Sequence, residues 1–141
     1  MESPLINAFG LSFHHVGLAC RHPEAALAFA AGLGYDAGEK IHDPVQNVNL
    51  IFCTHAQMPA LEIVYPTGSV GPIDAILEKV GESLYHSCYR TADLAASLAA
   101  FKAAGQRVIC VSPPKPAILF GGRHVSFYRV KGIGLIEVLE S

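Results

Sequence analysis

"HVGLACRHPEAALAFAAGLGYDA" (residues 15–37) and "HSCYRTADLAASLAAFKAAGQRV" (residues 86–108) are two versions of one pattern. A displacement of 71 residues sets His15 on His86, Ala25 on Ala96, Leu27 on Leu98 and Gly34 on Gly105. Each copy begins as an apolar strand, passes a polar turn, enters an alanine-rich helix and stops at glycine. In the first turn Pro23 precedes Glu24, a good helix start: proline at the first helical position sacrifices no hydrogen bond, and an acidic first turn suits the helix dipole. In the second, Thr91-Ala92-Asp93 offers a capping side chain. Strand-like runs follow each helix, at about 36–42, 47–53 and 60–65 in the first half, and at about 106–111, 122–130 and 134–139 in the second. Glycine, proline and asparagine punctuate them. Each half therefore reads β-α-β-β-β. The expected fold class is α+β, with two paired βαβββ modules forming a curved mixed sheet of about eight strands in a single domain. Module one covers about 11–66, a linker with a short helix opened by Pro72 covers about 67–82, and module two covers about 83–140.

Composition narrows the function classes. Of the 141 residues, 51% are hydrophobic and 16% charged, which is a globular rather than a disordered balance. A net charge of −2 with scattered lysine and arginine gives no stripe for nucleic acid or an anionic membrane surface. No apolar stretch approaches the roughly 18 residues of a membrane helix. The amino terminus lacks the basic start and apolar core of a signal peptide. Cys20, Cys53, Cys88 and Cys110 lie far apart in apolar runs without CxxC spacing, which reads as reduced, buried thiols. A cytoplasmic protein acting on a small molecule is the expectation.

Chemistry enters with four misfits. "GLSFHHVGLAC" (residues 10–20) carries adjacent histidines in an apolar run, and "SLYHSCYRT" (residues 83–91) carries His86 among strand formers. Strand side chains alternate, so His14 and His15 are expected to point to opposite faces. Glu62 in "PALEIVYP" and Glu137 in "GLIEVLES" are flanked by apolar β-formers, where an ionised carboxylate is costly unless paired or bound to a cation. Taken singly, each has a plainer reading as a satisfied strand histidine or a glutamate on a solvent face. Taken together, each module supplies one histidine from its first strand and one glutamate from its last. A pseudo-twofold relation would bring all four to one point, a donor set suited to a divalent cobalt, nickel, manganese, iron or zinc ion. Such an ion chelates substrate oxygens and stabilises negative charge developing on them.

At these residues the sequence resembles the vicinal oxygen chelate superfamily, built from paired βαβββ modules, over about Leu11 to Glu140. Among its members it is most similar to methylmalonyl-CoA epimerases. Their "HVGIAV"-like opening strand is matched by "HVGLAC" (15–20), and their "IELLEPLG…SPI…L" segment by "LEIVYPTGSVGPIDAIL" (61–77). A "LHHIAFRV"-like strand is matched by "LYHSCYRT" (84–91), and a closing "LIEL" by "LIEV" (135–138). The resemblance implies that His15, Glu62, His86 and Glu137 are metal ligands, with His14 facing away. It implies a homodimer as well. One departure stands out. Where some epimerases carry an acid after a "PEQGV"-like turn, this chain reads "DPVQNVNLIF" (43–52), with no carboxylate after Asp43 although Gln46 is kept.

The resemblance implies a divalent-metal-dependent isomerase or epimerase acting on an acyl-CoA-type thioester through a metal-stabilised enolate. Glu137 is the first candidate for the base and Glu62 the second. Gln46 and Arg123 are candidate substrate contacts. The same His/Glu/His/Glu set resembles that of bacterial glyoxalase, a lyase acting on a glutathione hemithioacetal, for which Arg90 and Arg123 could hold carboxylates. Superfamily members also include antibiotic-binding proteins without metal and iron-dependent ring-cleaving enzymes. Elsewhere, Tyr65, Tyr85, Tyr89 and Tyr128 read as core or rim residues, "SPPKPA" (112–117) as a stiff loop, and "FGGRHVSFYRV" (120–130) as a hairpin turn.

Overall fold

The structure, a computed structural model, describes residues 7–141. Its elements are β1 (Leu11–Ala19), α1 (Pro23–Gly32), β2 (Asp36–Asp43), β3 (Val48–Thr54), β4 (Ala60–Tyr65), α2 (Pro72–Lys79), β5 (Ser83–Thr91), α3 (Leu94–Ala103), β6 (Val108–Pro116), a 3₁₀ turn (Ile118–Phe120), β7 (His124–Val130) and β8 (Gly134–Glu140). The expected helix starts are present: Pro23 opens α1, Pro72 opens α2, and the Asp93 carboxylate accepts the Ala96 N–H at 3.0 Å before α3.

All eight strands join one curved mixed sheet in the order β2-β3-β4-β1-β5-β8-β7-β6. That order reads the same from either end once one βαβββ unit is exchanged for the other. β1 and β5 lie antiparallel at the centre, and each is flanked on its outer side by the parallel last strand of its own unit, β4 or β8. Parallel strands in this position require the intervening chain to cross over, which α1 and α3 do.

The helices then take equivalent places. Ala26 and Leu27 of α1 pack on Ile51, Cys53 and Ile63, while Leu94, Leu98 and Phe101 of α3 pack on Tyr128, Val130, Ile136 and Val138. Linker helix α2 has no counterpart. It buries Ile73 and Leu77 against Val48, Leu50 and Val64.

β6 corrects the reading of "SPPKPA" as a loop, since the strand runs on to Pro116. It is an edge strand bonded only to β7, and two register shifts break its ladder. Proline lacks an N–H, so it fits a strand whose outer side has no partner. The edge also exposes Cys110, unlike the buried Cys20, Cys53 and Cys88. Among the described residues no helix is long and apolar enough to cross a membrane.

Candidate metal centre

The centre forms where β1 and β5 meet. His15 and His86 project from these two strands, and Glu62 and Glu137 project from the parallel strands beside them. All four are buried, with 0%, 5%, 5% and 2% exposure for His15, His86, Glu62 and Glu137. Their ligating atoms lie within 4.8 Å of one another, and all come from one chain. The two Nε2 atoms are 3.3 Å apart. Glu137 Oε1 is 3.2 Å from each Nε2, and Glu62 Oε1 is 3.8 Å from each.

The pseudo-symmetry extends to the surroundings. Phe52 stands opposite Glu62 in the β3–β4 ladder, and Phe127 stands opposite Glu137 in the β7–β8 ladder. Phe52 meets the His15 ring edge to face at 5.5 Å, and Phe127 meets the His86 ring in the same manner at 5.5 Å. Both the phenylalanine and the glutamate pairs are displaced by 75 residues rather than 71, because the second unit is longer by the four-residue difference. Each unit thus contributes a histidine, a carboxylate and an aromatic wall.

The donor set fits a divalent cation. Two imidazole nitrogens and two carboxylate oxygens face one another with too few protons among them, and Glu137 Oε1 is buried without a hydrogen-bond partner. Donor separations of 3.2–3.8 Å match atoms sharing one ion at about 2.0–2.2 Å. Burial, then the Glu137 carboxylate and then Asp43, push the Glu62 carboxyl well above the usual carboxylate range. Burial would raise Glu137 too, but the His15 and His86 imidazoles, each 3.2 Å from its Oε1, hold it at about 2. Burial lowers His15 as well, against the opposing pull of Glu137. A dication relieves these conflicts together by replacing the missing protons.

His14 does not face away. Its Nδ1 lies 2.8 Å from Nδ1 of His15. The alternation fails because β1 carries an extra residue: Phe13 pairs with Tyr89 and His15 with the adjacent Cys88, leaving His14 as a β-bulge. The same ladder carries a second bulge in β5, where Gly17 pairs with His86, Leu18 with Leu84, and Tyr85 is the extra residue. Tyr85 accordingly lies against the His86 ring, with centroids 4.4 Å apart. Burial, and then His15, lower the His14 imidazole to about 4.

The His86 ring rests directly over Gly17, where a Cβ would collide with it. His15, at the equivalent place, faces Cys88 instead. Gly17→Ala is therefore expected to push the His86 ring out of the donor set and to destabilise the protein by about 1–3 kcal/mol. Cobalt titration with thermal unfolding tests this, and an unchanged affinity would contradict it.

A cavity of ≈ 460 Å³ opens beside the centre, with both Glu62 and Glu137 in its wall. The remaining wall is largely apolar, including Val64, Ile73, Leu119, Phe120 and Leu135, with Tyr85 among them. The β2–β3 turn and β6 both contribute residues to the wall of this cavity. Gln46 lines it, and its side-chain amide donates to Asp43 at 2.9 Å. Asp43 is fully buried, accepts the Val45 and Gln46 N–H groups, and does not line the cavity. Arg123 and Arg90 are exposed and outside the wall, whereas Lys115 lies in it. Lys115 escaped the sequence reading because it sits within the proline run, a stronger signal, whereas Tyr85, read as a core or rim residue, lies half-buried in the cavity wall. Phe52 and Phe127 could have been found from their constant spacing to Glu62 and Glu137.

An α+β sheet of paired βαβββ units with an internal His/Glu/His/Glu cluster defines a vicinal oxygen chelate protein. The profile of the Glyoxalase/Bleomycin resistance protein/Dioxygenase superfamily matches residues 14–127, and the chain belongs to that superfamily. A comparison with curated protein sequences finds no match. Among solved structures, methylmalonyl-CoA epimerase from Mycobacterium tuberculosis aligns with a TM-score of 0.77 at 17% identity, covering 96% of this chain and 92% of that one. A methylmalonyl-CoA epimerase in complex with methylmalonyl-CoA and NH4+ aligns with a TM-score of 0.68 at 24% identity, covering 93% and 94%. A variant of the Streptomyces coelicolor epimerase in complex with 2-nitronate-propionyl-CoA gives 0.67 at 24%, covering 92% and 96%. At these identities the likeness is one of fold.

Proposed function

We propose that the protein is a divalent-metal-dependent isomerase or epimerase that labilises the α-proton of a small acyl thioester of the acyl-CoA type. The observation that carries this reading is the presence of two buried carboxylates, one on each side of a histidine pair, in the wall of one apolar cavity. His15, Glu62, His86 and Glu137 would hold the ion, which when bound draws electron density from substrate oxygens and stabilises charge developing on them.

The residues of the chain do the rest. Glu137 takes the α-proton as general base, and Glu62 is the second carboxylate that can hold or return it. The apolar wall excludes water, so a removed proton stays with its carboxylate rather than with solvent. Tyr85 offers an O–H in the wall, held protonated by burial and then by the charges of Glu62 and Glu137. Gln46 and Lys115 contact the polar parts of the substrate, and Lys115 takes the place expected for Arg123. With Asp43 sequestered, no further carboxylate among the described residues lines the cavity. Deprotonation and reprotonation both fall to Glu62 and Glu137.

The test is α-proton exchange in deuterated water, followed by NMR, with cobalt-loaded protein and methylmalonyl-CoA. Exchange at a catalysed rate is the expected result. No exchange with cobalt demonstrably bound would overturn the acyl-thioester assignment, and turnover of a glutathione hemithioacetal in its place would make the protein a lyase.

A further inference from the structure

The two β-bulges are placed equivalently, yet they give the two histidines unlike partners. Beside His15 stands a second imidazole at hydrogen-bonding distance, Nδ1 to Nδ1, 2.8 Å. Beside His86 stands the phenol of Tyr85, and Nδ1 of His86 is buried with no hydrogen-bond partner among the described residues. We infer that His14 is a positioning residue for the metal centre, accepting a hydrogen bond from Nδ1–H of His15 and so fixing the tautomer and ring plane in which His15 presents Nε2 to the donor set. The inference rests on the metal-binding part of the proposed function, but not on the identity of the substrate.

The proton assignment follows from elimination. Nε2 of His15 faces Nε2 of His86 and the oxygens of Glu62 and Glu137, and in a metal-loaded site that nitrogen is a lone-pair donor. A neutral imidazole then carries its proton on Nδ1. The only hydrogen-bonding contact of His15 Nδ1 among the described residues is His14 Nδ1, which must therefore be the acceptor, with the His14 proton on Nε2. His14 is held for this task. Its ring meets Phe120 at 5.2 Å and perpendicular, lies 5.9 Å from Phe52, and sits at 78° to the ring of His15.

A rival reading makes His14, His15 and the thiol of Cys88 a second metal site, since their ligating atoms also cluster. The contact distance argues against it. Two nitrogens 2.8 Å apart share a proton, and His15 cannot offer Nδ1 to one cation and Nε2 to another while remaining a neutral imidazole.

Outer partners of metal-bound histidines are worth roughly 10–100-fold in metal affinity. The deciding experiment measures cobalt affinity by chelator competition, with binding stoichiometry, for the full chain, His14→Phe and His14→Asn. Phenylalanine keeps the aromatic packing and removes the acceptor, whereas asparagine places an oxygen close to the position of Nδ1. The expected result is one ion per chain, affinity roughly 10–100-fold weaker in His14→Phe and largely recovered in His14→Asn. Nitrogen NMR of the unsubstituted protein reads the tautomers directly and applies even if His14→Phe fails to fold. It should show a protonated Nδ1 on His15 and a lone pair on Nδ1 of His14. Equal affinity in all three proteins, two ions per chain, no cobalt binding, or a protonated Nδ1 on His14 would each overturn the inference. A protein that passes these tests but does not exchange the α-proton of a thioester keeps the inference and loses the substrate assignment.

Discussion

Glu137→Gln should slow α-proton exchange by about 10²–10⁴-fold, the range expected when a positioned general base is removed. The amide keeps the side-chain length and one oxygen donor, so the centre retains its shape while the group that accepts the proton is lost. Glu137 is the better base candidate on geometry. Its Oε1 lies 3.2 Å from both imidazoles and has no hydrogen bond of its own, and the carboxylate also borders the cavity. Glu62 sits further from both rings, at 3.8 Å. Measured exchange must be paired with metal content, because a variant that has simply lost its ion would also be slow. Retained cobalt with lost exchange identifies Glu137 as the base. Retained cobalt with unchanged exchange would move the role to Glu62.

How much of this was legible in the sequence depends on which physical effect set each feature. The duplicated strand-helix-strand order was readable because periodicity and punctuation are local properties, and Pro23, Pro72 and Asp93 start their helices as expected. The convergence of the four side chains was readable because the two units place a histidine and a carboxylate at matching positions in apolar strands, where either is costly enough to demand a reason. The side on which His14 lies was not readable. Alternation is a rule of regular ladders, and the bulge that breaks it is set by pairing with β5, a strand some seventy positions further along the chain. Gly17 was silent for a similar reason, since only the arrival of the His86 ring from the neighbouring strand gives its missing side chain a purpose. The prolines of β6 misled because proline signals a missing donor, which an edge strand tolerates on its open side. Asp43, the one acid in the 43–52 stretch, has its oxygens occupied by the turn that follows it, which only the folded turn shows.

Substituting Glu62 by glutamine should move two quantities in opposite directions. In the metal-free protein the fold must either hold two buried carboxylates close together or bind a proton to Glu62 at neutral pH, and both options cost free energy. Burial and Glu137 are the main causes, in that order. Glutamine removes that cost while its amide can donate to an imidazole lone pair, so the metal-free variant is expected to be more stable by about 1–3 kcal/mol. Adding cobalt cancels that advantage or reverses it. One negative charge has left the donor set, and affinity should fall on the order of 100-fold, about 2.7 kcal/mol. Stabilisation by bound ligand grows as the logarithm of concentration over dissociation constant, so the midpoint gained on adding cobalt shrinks by a corresponding amount. Paired thermal melts of both proteins, with chelator and with saturating cobalt, resolve the two effects. A residue that merely packs would lose stability in chelator and respond to cobalt as before, and that pattern would remove Glu62 from the centre. A gain without metal and a weaker response to it have one physical source: a carboxylate kept where the fold alone would not keep it, because a cation is meant to sit beside it.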